Sequence, residues 1–172
     1  FRSGGGLCGS KLPDAQAAYE SSNTLNAAML GGVNFMLHSC GWLEGGLVSS
    51  FEKFVMDADQ LGSLQKMSLG VSADENAQAM GAIREVGPSG HYLGCEHTQN
   101  NFKSAFWRSD LFDYKPFETW YEEGARDTAK LASERVTRQL ADYQQPPLDP
   151  EILAALEKYV AQKKAESPDA FV

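Results

Sequence analysis

Only two stretches of this 172-residue chain read as β-strand, and each runs straight into a glycine signal. Residues 1–6 end in Gly4-Gly5-Gly6, and residues 33–39 (VNFMLHS) form an apolar run that starts after Gly31-Gly32. A run that short suits a buried parallel strand better than a helix. Two strands do not make a sheet that is stable in water by itself. The rest of the sheet is therefore expected from sequence upstream or from another chain. The order of elements is strand, helix, strand, helix, helix, irregular segment, two helices. That order is α/β, with helices covering a parallel sheet. An incomplete (β/α)8 barrel is the simplest closed form, because it sets the glycine-rich loops at strand C-termini, where barrel active sites lie. A doubly wound sheet is the competing form.

The helices are legible from caps and periodicity. Pro13 can open a helix that runs over 14–30 on Ala15, Ala17, Ala18, Leu25, Ala27 and Ala28, small residues that suit close packing on a flat surface. Residues 40–46 (CGWLEGG) read as a loop. After it, Leu47, Val48, Phe51, Phe54, Val55, Ala58 and Leu61 share one helical face, with Glu52, Lys53, Asp57 and Gln60 opposite. The apolar stripe is expected to be core. A further helix is expected over 73–86, ended by Gly87-Pro88. Residues 89–114 are irregular and rich in aromatics. Pro116 starts a long charged helix through about 144, and Asp149 caps a last helix over 150–165. Residues 167–172 read as a loose tail. The expected division is 1–115, the last β/α units of a barrel, and 116–172, helices packing on the same domain.

Net charge is −8, with no basic face, which argues against a nucleic-acid partner. No apolar run approaches the ~20 residues of a membrane span. Cys8, Cys40 and Cys95 are odd in number and widely spaced, so no disulfide framework is expected and a cytoplasmic location is the default.

Four stretches, in order, carry a family likeness: FRSGGGLCGSKLPDAQAAYES at 1–21, GWLEGGLVSSFEKFVMDAD at 41–59, IREVGPSGHYLGCEHTQNNF at 83–102 and FWRSDLFDYKPFETW at 106–120. Over nearly its whole length the chain resembles the trimethylamine methyltransferase family. The resemblance implies a (β/α)8 barrel of roughly three times this length, of which this chain is the C-terminal part with additional C-terminal helices. It implies methyl transfer from a small methylated amine to Co(I) of a cognate corrinoid protein, with no cofactor held tightly in this chain itself. The wording of 4–21 and 41–55 looks closer to the members that act on trimethylamine. Relatives that demethylate a quaternary amine such as glycine betaine are the alternative, and a non-catalytic assembly fragment is an alternative of another class. The trimethylamine enzymes carry pyrrolysine, which is absent from these 172 residues. The resemblance therefore places the catalytic residue upstream of Phe1 or nowhere. This portion is expected to be inactive alone, and the full-length protein is expected to be a homo-oligomer.

Several residues are candidates for a site. A cationic methylammonium suits aromatic faces with a carboxylate nearby. Trp42 and Glu44, in the loop after the second strand, are the candidate substrate-binding pair. The alternative is that Trp42 packs on a helix and Glu44 caps the helix near Leu47. Gly4, Gly5, Gly6 and Ser10 are candidates for a loop that the corrinoid or its carrier approaches; the alternative is a tight turn needing positive φ. Lys11 and Asp14 read as a local ion pair. Glu96 and His97 are candidates to tune the substrate or meet the corrinoid, against a role fixing their loop through backbone hydrogen bonds. His38 reads as a buried, hydrogen-bonded histidine. Trp107, Phe112 and Trp120 read as packing residues. One rival is a zinc site formed by His38, Cys40, Cys95 and His97.

Overall fold

A computed structural model describes residues 1–167. The chain opens with the short strand β1 (Arg2–Ser3) and continues into helix α1 (Ala15–Leu30). Asp14 starts α1 by accepting the Ala17 N–H at 3.0 Å, an N-cap that satisfies one of the helix's orphan donors. Pro13 therefore lies just outside the helix rather than opening it. Gly31 caps its end and Gly32 turns the chain at φ +72°. Strand β2 (Phe35–Met36) pairs parallel to β1, with Arg2 opposite Phe35 and Ser3 opposite Met36. Strand, helix and parallel strand thus form one βαβ unit, the connection that parallel pairing demands. The ladder is shorter and more open than the run 33–39 suggested. Phe35 is 58% exposed.

Residues 40–46 are more ordered than a loop. Trp42–Leu43 (β3) and Val48–Ser49 (β4) form an antiparallel hairpin, with Trp42 opposite Ser49 and Leu43 opposite Val48. A tight turn at Glu44–Gly46 joins them. Helix α2 (Phe51–Ser68) begins only afterwards, with the Ser50 hydroxyl accepting the Lys53 N–H. Leu47 and Val48 therefore belong to the hairpin and not to the helical stripe.

The buried face of α2 reverses the expectation. Phe51 and Phe54, expected in the core, are 66% and 54% exposed. Lys53, expected opposite the core, is 1% exposed, and Asp57 is buried with it. The reason lies in what α2 meets. On one side it packs against α1, whose Ala17, Ser21 and Leu25 form the buried stripe. Ser21 and the Gly6 carbonyl take hydrogen bonds from Lys53, and Asp57 takes the Gly41 N–H. On the other side Val55 joins Leu111, Ala132 and Val136 in a second cluster, with Met56, Phe112 and Leu131 against it. Each fully buried aliphatic side chain contributes about 1.5–3 kcal/mol.

The later helices are shorter than periodicity suggested. The segment expected as one helix over 73–86 is two, α3 (Glu75–Gln78) and α4 (Met80–Val86), divided at Ala79, which has φ +51°. Helix α5 (Glu96–Asn101) follows within the irregular stretch. The long helix expected from Pro116 breaks into α6 (Phe117–Glu122) and α7 (Thr128–Ala141). Gly124 (φ +98°) and Ala125 (φ +48°) end α6, their N–H groups donating to Tyr121 and Trp120 carbonyls. Helix α8 (Pro150–Glu166) is capped by Asp149 as expected, through the Glu151 and Ile152 N–H groups. The chain divides into two compact units, Phe1–Arg138 and Gln139–Val172. No described helix is long and apolar enough to cross a membrane. Of the expected tail, residues 168–172 lie outside the described residues.

Candidate functional site

The two loops that leave the C-terminal ends of β1 and β2 are zipped together. Gly6 N–H donates to the His38 carbonyl at 2.5 Å, Glu44 N–H to Ser10 O at 2.8 Å, and Gly45 N–H to Cys8 O at 2.8 Å. The Cys8 thiol donates to Trp42 O at 3.2 Å. In parallel α/β folds this end of the strands is where binding residues collect.

Within this pair of loops the glycines divide by what they touch. A Cβ at Gly6 would sit 2.3 Å from Ser39 O, and one at Gly5 would sit 2.7 Å from the Leu25 side chain. Both positions admit close approach by the chain itself. Gly4 is different: a Cβ there would meet nothing nearer than His38 Nδ1 at 3.6 Å. None of the three has a positive φ, so the triplet serves proximity rather than a left-handed turn. Ser10 is buried, donating to Leu12 O and to Asp14 Oδ1 at 2.9 Å, and so holds the first loop to the start of α1. Lys11 does not pair with Asp14; its ammonium donates to Gly9 O at 2.8 Å. The Asp14 carboxyl lies below its ordinary value because the Ala17 N–H and the Ser10 hydroxyl bind its ionised form.

The second loop presents side chains. Trp42 is half-buried and stands edge-on to the His38 ring, with centroids 5.8 Å apart and planes at 73°. His38 is half-buried rather than buried. Glu44 does not cap α2, a task that Ser50 performs. It is exposed and has φ +50°, followed by Gly45 at +65° and Gly46 at +96°. A left-handed residue with a Cβ costs ~1–2 kcal/mol. The two backbone bonds from Glu44 and Gly45 to the first loop hold it there. Such strain is a reason to examine a residue for function. His38, Trp42 and Gly4 are thus neighbours on a rim formed by the two loops, and Glu44 stands exposed on the second of them.

Glu96 and His97 are placed elsewhere, on α5. His97 Nε2 lies 2.7 Å from Asn76 O, and Asn76 and Asn101 exchange side-chain amide bonds at 2.8 and 3.2 Å. These contacts tie α5 to α3. Glu96 is exposed at the start of α5. Cys95 is buried, with Sγ 3.2 Å from Thr98 Oγ1. Among the described residues no three of His, Cys, Asp and Glu gather as a metal-holding group. The aromatic packing residues do pack. Trp107 lies over Gly62 of α2, Phe112 lies against the second cluster, and the Trp120 indole donates to Arg126 O at 2.9 Å.

Sequence reasoning missed the group beneath the rim. Lys53 Nζ contacts Gly6 O at 3.2 Å, Ser21 Oγ at 2.8 Å and Asp57 Oδ2 at 2.5 Å, and Asp57 Oδ2 also accepts the Gly41 N–H at 2.9 Å. Burial pushes the Asp57 carboxyl up, against the lowering pull of Lys53 and the Gly41 N–H. Burial likewise raises the Cys40 and Cys8 thiols, so neither is set up as a nucleophile. The available signal was a Lys and an Asp one turn apart, on a helix facing a serine in an alanine-rich partner. A cleft of about 540 Å³ between α1, α2 and the start of α7 has this pair in its wall. Its remaining lining is mostly small or apolar, and Trp42, Glu44 and His38 do not line it.

A model of the trimethylamine methyltransferase family matches residues 1–168. The chain is 45% identical over 165 residues to a glycine betaine methyltransferase of Desulfitobacterium hafniense (strain Y51), covering 96% of this chain and 34% of that protein. It is 30% identical over 162 residues to the trimethylamine methyltransferase MttB of Desulfitobacterium hafniense (strain DSM 10664 / DCB-2), covering 94% of this chain and 32% of that protein. It is 30% identical over 155 residues to a proline betaine:corrinoid methyltransferase of Eubacterium limosum, covering 87% of this chain and 31% of that protein. The chain spans about a third of the length of these relatives.

Proposed function

The chain belongs to the trimethylamine methyltransferase family, and from that premise we propose that it supplies part of the active-site rim of a methyltransferase that demethylates a quaternary amine. The proposed donor is a betaine such as glycine betaine, and the proposed methyl acceptor is the corrinoid of a partner protein. The barrel reading stays part of the proposal. It accounts for two features: a parallel β1–β2 pair with no third strand beside it among the described residues, and the exposed stripe of Phe51 and Phe54, which the remainder of a longer protein would cover.

The observation that carries the reading is the Trp42–His38 edge pair with Glu44 on the same loop. In the transfer, the methyl carbon leaves nitrogen, the bonding electron pair stays on nitrogen, and the amine departs neutral. Positive charge at nitrogen therefore falls on the way to the transition state. A carboxylate in tight contact would stabilise the bound cation more than the transition state and slow the reaction. An aromatic face holds the cation more softly, at about 0.5–2 kcal/mol. An exposed, strained Glu44 at the rim suits a long-range attraction that draws the cation in. A corrinoid would supply the nucleophile that accepts the methyl group, and Gly4 beside His38 is where this chain would leave the most room for it. Gly5 and Gly6 are filled by Leu25 and Ser39.

Identity of 45% to a glycine betaine enzyme, against 30% to a trimethylamine enzyme, favours the quaternary amine. The trimethylamine reading keeps the support of the family description and of the wording at 4–21. It requires a group that first makes the nitrogen cationic.

The test is corrinoid methylation by the full-length enzyme and its cognate corrinoid protein, followed by visible spectroscopy with glycine betaine and with trimethylamine. Turnover of glycine betaine is expected. Trp42→Ala should raise its KM about tenfold, the equivalent of ~1.4 kcal/mol, while Trp42→Phe keeps most of the affinity. Turnover of trimethylamine alone would replace this reading with the tertiary-amine one. Turnover of neither would sink both.

A further inference from the structure

We infer that the buried Lys53–Asp57 pair is the positioning device of this site, holding the Gly4–Gly6 loop with one partner and the Gly41–Glu44 loop with the other. The inference rests on the proposed rim in one respect only, that the two loops carry substrate. Lys53 is 1% exposed, and its ammonium has three donors for three acceptors: Gly6 O, Ser21 Oγ and Asp57 Oδ2. Ser21 accepts from Lys53 and donates to the same Gly6 carbonyl at 3.1 Å. Asp57 Oδ2 then takes the Gly41 N–H, one residue before Trp42. A continuous path thus runs from Gly6 through Lys53 and Asp57 to Gly41.

Both ends of that path reach the rim directly. Gly6 holds the His38 carbonyl through its own N–H, and Gly41 leads into the strand that carries Trp42. The His38–Trp42 edge contact therefore has its two partners fixed from the same ion pair on α2. A buried ion pair is seldom more stabilising than a well-packed apolar pair of the same volume. What apolar side chains would lack here is the acceptor for Gly41 N–H and the donor that Gly6 O takes beside Ser21. Stability alone does not call for this pair; loop geometry does. Near-attack placement of a methyl group is sensitive to shifts of about 1 Å, enough to cost on the order of a hundredfold in rate.

The experiment uses the full-length enzyme with Lys53→Met/Asp57→Leu, which removes both charges together, and with the near-isosteric Asp57→Asn. In the double variant kcat for the amine that the wild type turns over should fall at least tenfold, while KM moves less than about threefold. Asp57→Asn should show the same split with a smaller drop. A second readout does not depend on any substrate. With 5-fluorotryptophan incorporated, the Trp42 resonance should shift or broaden in both variants, and that of Trp107, over Gly62 on the same helix, should stay. A folded variant with wild-type kcat and an unmoved Trp42 resonance overturns the positioning role. Uniform change of all tryptophan resonances also overturns it, because that is what a general structural role predicts. Should the double variant not fold, Asp57→Asn decides on the same two readouts. A wild-type enzyme that demethylates no amine fails the functional reading alone, and the fluorine spectra still decide the positioning one.

Discussion

Segments 38–46 and 94–101 carry almost the same reactive inventory, a His, a Cys and a Glu each, yet they use it in opposite ways. In the second segment side chains hold the structure together. His97 reaches Asn76 O, Gln99 reaches Leu93 O, and Asn101 bonds both Asn76 and the His97 carbonyl. In the first segment the backbone does the holding. N–H groups of Gly41, Glu44 and Gly45 donate to Asp57, Ser10 and Cys8, and the rings of His38 and Trp42 are left to meet edge-on. A loop braced by its main chain keeps its side chains for something else. A loop braced by its side chains has few left to offer. Residue type alone cannot make that distinction.

The largest expected contrast is between two glycines that the sequence presents alike. Gly6→Ala pushes a Cβ to 2.3 Å from Ser39 O, a backbone atom with little room to yield, and it should unzip the first segment. The expected destabilisation of the full-length protein lies at the upper end of about 1–3 kcal/mol, with loss of amine demethylation. Gly94→Ala meets nothing within 4 Å and needs no positive φ, so it should change stability by less than about 0.5 kcal/mol. Chemical denaturation of the two variants checks this. Equal effects would erase the comparison at its base.

How far the sequence reached follows from the same contrast. The helix over 14–30 and its glycine end, the Asp149 cap and the parallel relation of the two strands were legible, because each rests on neighbours in sequence. The hairpin at 42–49 was not. Its turn is held by Ser10 and Cys8, some 35 residues away, and no local rule signals such bonds. The face of α2 was misjudged for a related reason. Periodicity finds the apolar stripe at Phe51 and Phe54, but it does not say that Ser21 and the Gly6 carbonyl would claim the opposite side for Lys53 and Asp57. At the rim, Trp42 and Glu44 were singled out from composition of the loop. His38 was set aside as a core histidine because it lies on an apolar run, and only its exposure and its contact with Trp42 bring it forward.

The next contrast in size is between the histidines themselves. His38→Ala should lower kcat/KM for the demethylated amine about tenfold, or ~1.4 kcal/mol, with little change in melting temperature. His97→Ala should leave kcat/KM within about twofold and lower stability by about 0.5–1 kcal/mol, the worth of one modest hydrogen bond. Steady-state kinetics and thermal melts of the two variants, side by side, measure both quantities. A His97→Ala variant that loses activity without losing stability would restore the second segment as part of the site.

The smallest contrast is in acid. The second segment hangs on Asp74, which caps α3 beneath His97 through the Ala77 N–H and the Ser72 hydroxyl. Those bonds favour the carboxylate and hold its pKa below the ordinary value. Its contribution is therefore present above the ordinary carboxylate range and is lost as pH falls through the lowered value. The first segment hangs on Asp57, whose pKa burial raises. In the window between its ordinary and raised values the folded chain binds the proton more tightly than the unfolded chain does. Stability from this group accordingly rises as pH falls through that window, opposing Asp74. Melting temperature against pH should show it: Asp74→Asn flattens the loss on the acid side, and Asp57→Asn steepens it. An Asp57→Asn profile no steeper than wild type would mean that the carboxylate beneath Gly41 is better solvated than its burial implies, and the two segments would then respond to acid alike.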